Sequence, residues 1–177
     1  MLQALFDWWW NIRLPASHRR RIRRSHTLLA ELRVQLLTGD AVQIKRVFGY
    51  LRTIDSTVFE ELTLTALADA GYRIKRNRRY TGDGGSDGWV WLDRKWCPVQ
   101  CKRYSSAINP AHVRDFAVLL EKLGVGEGVF VHTGRTGDKS WQSVASSARK
   151  IHMVSGRNLC EMIAGGPIEA ARIQSSE

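Results

Sequence analysis

Asp87, Gln100 and Lys102 are the residues whose types and spacing can do chemistry together. Gln100 and Lys102 stand two apart in residues 98–102, a run that reads as a strand, so both side chains project to one face while Val99 and Cys101 project to the other. Asp87 opens a second strand, 87–92, directly after the loop Thr81-Gly82-Asp83-Gly84-Gly85-Ser86. A turn at Asp93-Arg94-Lys95 folds the two runs into an antiparallel hairpin, which is expected to bring Asp87 beside Gln100 and Lys102.

Such a trio is coherent for phosphodiester hydrolysis. A carboxylate can hold Mg²⁺ (or Mn²⁺), a hard cation that keeps several of its waters. The ion polarises a scissile phosphate and lowers the pKa of an attacking water. A lysine can orient that water or stabilise charge growing on the phosphate oxygens. Gln100 can ligate only through its neutral carbonyl oxygen, or position a water. Glu60, on the preceding helix, can supply a further carboxylate from the side. The plainer alternative makes Asp87 ordinary turn chemistry and the Gln-Lys pair a solvated strand face. The bare pattern favours that alternative.

The elements that must position these residues follow from periodicity. A helix capped by Asp55 or Ser56 carries Phe59, Leu62, Leu64, Leu67 and Ala68 and stops at Gly71. A strand over 72–78 leads to the glycine-rich loop and the hairpin. A helix after Pro110 to about Leu123 turns Val113, Phe116, Ala117 and Leu120 inward, and residues 128–132 form a buried strand. A helix over 138–149, a strand over 151–154 and a helix over 157–163 complete the series. The late alternation requires parallel crossovers, so the class is α/β with a mixed central sheet flanked by helices. Two short amphipathic helices precede it, one over 25–37 with Leu28, Leu29, Leu32 and Leu36, the other from Asp40 with Val42, Ile44, Val47, Phe48 and Leu51. The chain divides into an apolar and basic arm (1–24), a helical extension (25–54), a principal domain (55–165) and a polar tail (166–177).

Charge narrows the partner. Lys plus Arg number 27 against 17 for Asp plus Glu, a formal net charge of +10 with a pI near 10.1. That surplus favours a polyanion, nucleic acid first and anionic lipid second. Arg73, Lys75, Arg76, Arg78 and Arg79 lie on the strand and loop leading to Asp87, and Arg94, Lys95 and Arg103 surround the hairpin. Their density favours phosphate contact, which confers affinity without sequence information, over a charged edge that merely blocks strand pairing. Trp89 and Trp91 share a strand face with Asp87, where capping the core is favoured over stacking on substrate. Trp8, Trp9 and Trp10, ahead of the run Arg19 to Arg24, read as a plug against the chain's own core or a second subunit, in preference to a weak membrane-surface contact.

Other classes find no support. The first ten residues fall well short of the roughly 20 that a spanning helix needs, and no basic residues precede them as in a signal peptide. Cys97, Cys101 and Cys160 form neither a CxxC pair nor a zinc spacing, which suits small buried roles in a reducing, cytoplasmic setting. His112, His132 and His152 are scattered, with His132 a core or edge residue, and neither a phosphate-binding P-loop nor a hydrolase triad is present.

Residues 55–165 resemble the catalytic domain of Mrr-type restriction endonucleases, within the PD-(D/E)xK nuclease superfamily. The resemblance rests on Phe59-Glu60, Gly71-Tyr72, Gly82-Asp83-Gly84-Gly85-Ser86-Asp87-Gly88, Val99-Gln100-Cys101-Lys102-Arg103-Tyr104, Gly128-Val129-Phe130-Val131-His132-Thr133 and the closing stretch 151–159, in this order. It implies that Asp87 binds the metal, that Gln100 stands where most of the superfamily has Glu, that Lys102 is the catalytic lysine, and that Glu60 and the backbone carbonyl of Cys101 complete the ligands. The activity it implies is Mg²⁺-dependent endonuclease cleavage of DNA in restriction, defence or DNA processing. A junction- or branch-specific nuclease, or a DNA-binding module that has lost catalysis, are the alternatives. Cutting both strands often requires two active sites, so a homodimer is consistent with it.

Overall fold

The computed structural model describes residues 15–37, 40–77 and 85–168. Among the described residues three helices come first: α1 (Ala16–Leu37), α2 (Ala41–Leu51) and α3 (Ser56–Asp69). Then follow β1 (Ile74–Arg76), β2 (Gly88–Leu92), β3 (Lys95–Lys102), α4 (Pro110–Lys122), β4 (Glu127–His132), α5 (Asp138–Ala145), β5 (Lys150–Val154) and α6 (Gly156–Ile163). The strands form one mixed sheet in the order β1-β2-β3-β4-β5. The β1/β2 and β2/β3 pairs are antiparallel, and the β3/β4 and β4/β5 pairs are parallel. The fold is therefore α/β, as the alternation of elements requires.

Two clusters of buried side chains lie against the sheet. Leu28, Leu29 and Leu32 of α1, Val47 and Leu51 of α2, Phe59, Leu62 and Leu64 of α3, and Leu159 and Met162 of α6 pack with Val90, Val99, Val129 and Val131. A smaller cluster joins Val113, Phe116 and Leu120 of α4 to Phe130 and Met153. Val129 and Phe130 are neighbours in one strand, so the clusters occupy opposite faces. The helical extension thus shares a core with the strands. Two glycines let helices approach closely. A Cβ on Gly88 would stand 2.8 Å from the Leu64 methyls of α3, and one on Gly128 would stand 2.6 Å from Leu120 of α4.

Three local expectations change. The arginine run lies inside α1, which begins at Ala16, where a linker was expected. Arginine is a good helix former, and the buried stripe His18, Ile22, Ser25, Leu28, Leu29 and Leu32 keeps helical period through two polar members. The hairpin turn uses only Asp93 and Arg94, both left-handed at φ of 43° and 65°, so β3 starts at Lys95 and not at Pro98. The helix expected over 138–149 ends at Ala145. Among the described residues no helix is long and apolar enough to cross a membrane. The expected plug at Trp8, Trp9 and Trp10 lies outside the described residues, as do Arg78 and Arg79.

Candidate active site

The hairpin register aligns the chemistry-bearing residues. Gly88 pairs with Val99, and the Asp87 amide donates to the Val99 carbonyl at 2.8 Å. Asp87 Oδ2 accepts from the Cys101 amide at 2.6 Å, which holds the carboxylate across the mouth of the hairpin. Gln100 donates its Nε2 to the Gly85 carbonyl at 2.9 Å, tying down the end of the glycine-rich loop. Its side-chain oxygen is then what it has left to offer a cation or a water. Asn77 Nδ2 donates to the Ser86 carbonyl at 2.6 Å and anchors the same turn from β1, a contact that the sequence reading missed.

Glu60 arrives from α3. Asp55 caps that helix, accepting from the amides of Thr57 at 3.0 Å and Val58 at 3.2 Å. Glu60 follows five residues later, half-buried among acidic groups. Burial first, then the charges of Asp87 and Glu61, raise its carboxyl to about 8, against the pull of Lys102. Burial also raises Asp87 to about 6, opposed by the Cys101 amide and the Lys102 ammonium. Burial, and for Glu60 also the charge of Asp87, thus makes both carboxyls hold their protons more tightly than free carboxylates do. Glu60, Asp87 and Lys102 lie close enough to act on one another electrostatically, while Gln100 sits beside them as the loop anchor.

The surrounding residues sort differently from the sequence expectation. Arg76 turns inward: its Nε lies 2.8 Å from Glu61 Oε2 and its Nη2 donates to Thr65 Oγ1 at 3.0 Å. It fastens β1 to α3 and is taken up by that buried carboxylate. Arg94 and Lys95 sit at the tip of the hairpin, at the opposite end from Asp87, with Lys95 Nζ 3.8 Å from Glu127. Arg103 lies at the site end, its Nη1 donating to the Arg52 carbonyl at 3.0 Å. Arg52 in turn reaches the Thr133 carbonyl with Nε at 3.0 Å and adds a cation that carried no sequence signal. Arg73 and Lys75 lie over the rings of Trp91 and Trp96. Trp89 and Trp91 are half-buried and belong to neither core cluster, so they do not cap the core.

His132 is paired with Lys102 in the β3/β4 register, and burial lowers it to about 4, so its imidazole is neutral. Its Nε2 lies 3.1 Å from Thr136 Oγ1, while its buried Nδ1 has no hydrogen-bond partner among the described residues. Tyr104, beyond Lys102, meets His112 Nδ1 through its hydroxyl and holds the segment after β3 against α4.

Residues 51–163 match the family model for the Mrr catalytic domain, described as a restriction endonuclease. No curated protein matches the chain. A solved structure of the MspJI restriction endonuclease in complex with a 27-mer oligonucleotide aligns with a TM-score of 0.47 and 21% identity, over 74% of this chain and 32% of that one. The chain spans about a third of that neighbour's length. The family match takes in more than half of the sequence and the whole hairpin with its flanking helices, and on that ground the chain belongs to the Mrr catalytic-domain family of restriction endonucleases, which are DNA nucleases.

Proposed function

We propose that the protein is a metal-dependent endodeoxyribonuclease that hydrolyses DNA phosphodiester bonds at Asp87, Glu60 and Lys102. The observation that carries this reading is the pair of carboxylates, Glu60 and Asp87, held above their ordinary range by burial and by Asp87's charge on Glu60, beside the Lys102 ammonium. Such a pair lacks positive charge, and a hard divalent cation meets that need with oxygen donors. Among the described residues no group of three or more His, Cys, Asp or Glu gathers, so the protein's own donors would be these two carboxylates with the Cys101 carbonyl. The site fits Mg²⁺ or Mn²⁺ on its donor chemistry.

The bound ion would polarise the scissile phosphate and acidify an attacking water. Asp87 is oriented by the Cys101 amide, which leaves its other oxygen for a ligand. Glu60 must give up its proton to serve as a ligand. Lys102 stabilises negative charge growing on the phosphate oxygens or orients the water. Gln100 is neutral and holds the Gly85 carbonyl, so it positions the loop and adds no charge. Arg103 and Arg52 lie at the same end of the sheet and suit phosphate contacts. The reading includes a restriction, defence or DNA-processing role.

A plasmid-nicking assay with Mg²⁺ or Mn²⁺ tests it. The parent protein is expected to convert supercoiled to nicked and linear DNA, and Asp87→Ala and Lys102→Ala to lower the rate by about 10²-fold or more. Equal rates in parent and variants would overturn the assignment.

A further inference from the structure

Three tryptophans of the β2/β3 hairpin remain unexplained by that site. On β3, Trp96, Pro98, Gln100 and Lys102 share one face by alternation, and β2 sets Trp91 opposite Trp96 and Trp89 opposite Pro98. Lys75 of β1 pairs with Trp89, and Trp91 donates its amide to the Arg73 carbonyl at 2.8 Å. The rows across this face therefore run from Lys102, through Asp87 and Gln100, to Lys75 with Trp89, and then to Arg73 with Trp91 and Trp96. α4 covers the β4 part of the same face through Phe116 and Leu120 against Phe130. Trp89, Trp91 and Trp96 are half-buried and lie outside both cores.

Their neighbours are cations. The Arg73 guanidinium lies 5.4 Å from the Trp91 ring centroid and 5.9 Å from that of Trp96, and Lys75 Nζ lies 3.9 Å from the Trp96 centroid. Trp91 and Trp96 meet edge to face at 5.2 Å. A duplex presents phosphates, for which cations suffice, and keeps its bases stacked away from any indole. Unpaired bases offer π-faces, and indoles flanked by Lys and Arg are what binds them without sequence preference. Same-face residues repeat about every 7 Å along a strand, twice the roughly 3.4 Å rise per nucleotide of a stacked chain. A stretched, unstacked strand leaving Asp87 thus meets an aromatic ring at each step.

Resting on the nuclease reading, we propose that Trp89, Trp91 and Trp96 with Arg73 and Lys75 form a stacking platform for unpaired bases adjoining the scissile phosphate. The preferred substrate class is then DNA in which duplex and single strand meet. Arg73 and Lys75 leave the half-buried rings for the phosphates as the bases arrive, since a cation–π contact that solvent still reaches is weak.

Fluorescence anisotropy of the full chain in EDTA tests the platform without any catalytic step. The probes are a labelled oligothymidylate, the same strand made abasic, and a duplex of equal length. The parent is expected to bind the strand with bases about tenfold more tightly than the abasic strand. Trp91→Ala and Trp96→Ala are expected to remove that difference, and Trp96→Phe to keep it. Equal binding of the abasic and base-bearing strands by the parent overturns the proposal whether or not the variants fold. A shift in sedimentation of the alanine variants with no change in base-dependent binding also overturns it, making this face a subunit contact. Asp87-dependent nicking is scored separately: its presence without base-dependent binding defeats the platform and spares the nuclease. For the substrate class, a forked duplex should be nicked several-fold faster than a blunt one, and a Trp96→Ala variant that retains the preference defeats the claim.

Discussion

Glu60 and Asp87 make the site sensitive to pH in a direction opposite to most surface carboxylates. Both hold their protons more tightly folded than unfolded, with Glu60 raised to about 8 and Asp87 to about 6. The stabilisation linked to those protons is complete below about pH 4, the unfolded carboxylate range. It is lost as pH rises through 6 for Asp87 and through 8 for Glu60. The metal-free protein should therefore melt at a lower temperature at pH 8.5 than at pH 5, to an extent set by these two groups. Glu60→Gln cannot ionise and should flatten that slope while abolishing most nicking. Mg²⁺ or Mn²⁺ should raise the melting temperature of the parent at high pH, by binding the folded state alone. Thermal melts across pH decide this, and an unchanged slope in Glu60→Gln would sink the account. Arg76 illustrates the opposite case at the same scale: a basic residue next in line to the site is held by buried Glu61 and is unavailable to solvent phosphates.

At the scale of elements, the β2/β3 hairpin aligns the site. It turns through Asp93 and Arg94, both with positive φ, where a two-residue hairpin prefers Asn or Asp followed by Gly. An L side chain at a left-handed position costs about 1 kcal/mol. Arg94→Gly should remove much of that cost and raise the melting temperature by about 2–4 °C. The turn lies at the far end of the hairpin from Asp87, so the change is read by calorimetry. On the other side of the hairpin, α3 reaches β2 only because Gly88 has no side chain: a Cβ there would meet both the Leu64 methyls at 2.8 Å and the Lys75 carbonyl at 3.0 Å. The glycine after Asp87 thus serves the approach of the helix that carries Glu60.

Across the whole molecule, the extension and the sheet are joined by one buried cluster. Leu29 of α1 is fully buried with Leu62 and Leu67 of α3, and Ser25 Oγ lies 2.8 Å from Thr65 Oγ1. His18 Nδ1 stands 4.0 Å from Glu61, which also holds Arg76 of β1. α1 is therefore tied to the helix that carries Glu60 through both apolar and polar contacts. Leu29→Ala should cost about 2–5 kcal/mol. It should lower a single unfolding transition measured by both helix and tryptophan signals. Two separated transitions would mean that the extension folds independently. The net charge of +10 belongs to this scale too, because it favours encounter with a polyanion, such as the DNA proposed as substrate, without selecting a sequence.

By itself the sequence determined what depends on local period: the alternation at 98–102, the turn after β2, the helix after Asp55, and the crossovers that make the sheet mixed. Those signals survive because each lies within one element or between neighbours in the chain. Tertiary structure decided which charges are spent and which faces are covered. Glu60 meets Asp87 through the packing of α3 on β2, across a chain separation that no spacing rule spans. Arg76 and Arg73 look alike in a run of basic residues, yet strand alternation sends one to Glu61 and the other over Trp91. The arginines of α1 read as a linker because charge masked a helical stripe that includes His18 and Ser25. Trp89 and Trp91 read as core residues because burial follows from which helix lies overhead, and α4 lies over β4 instead.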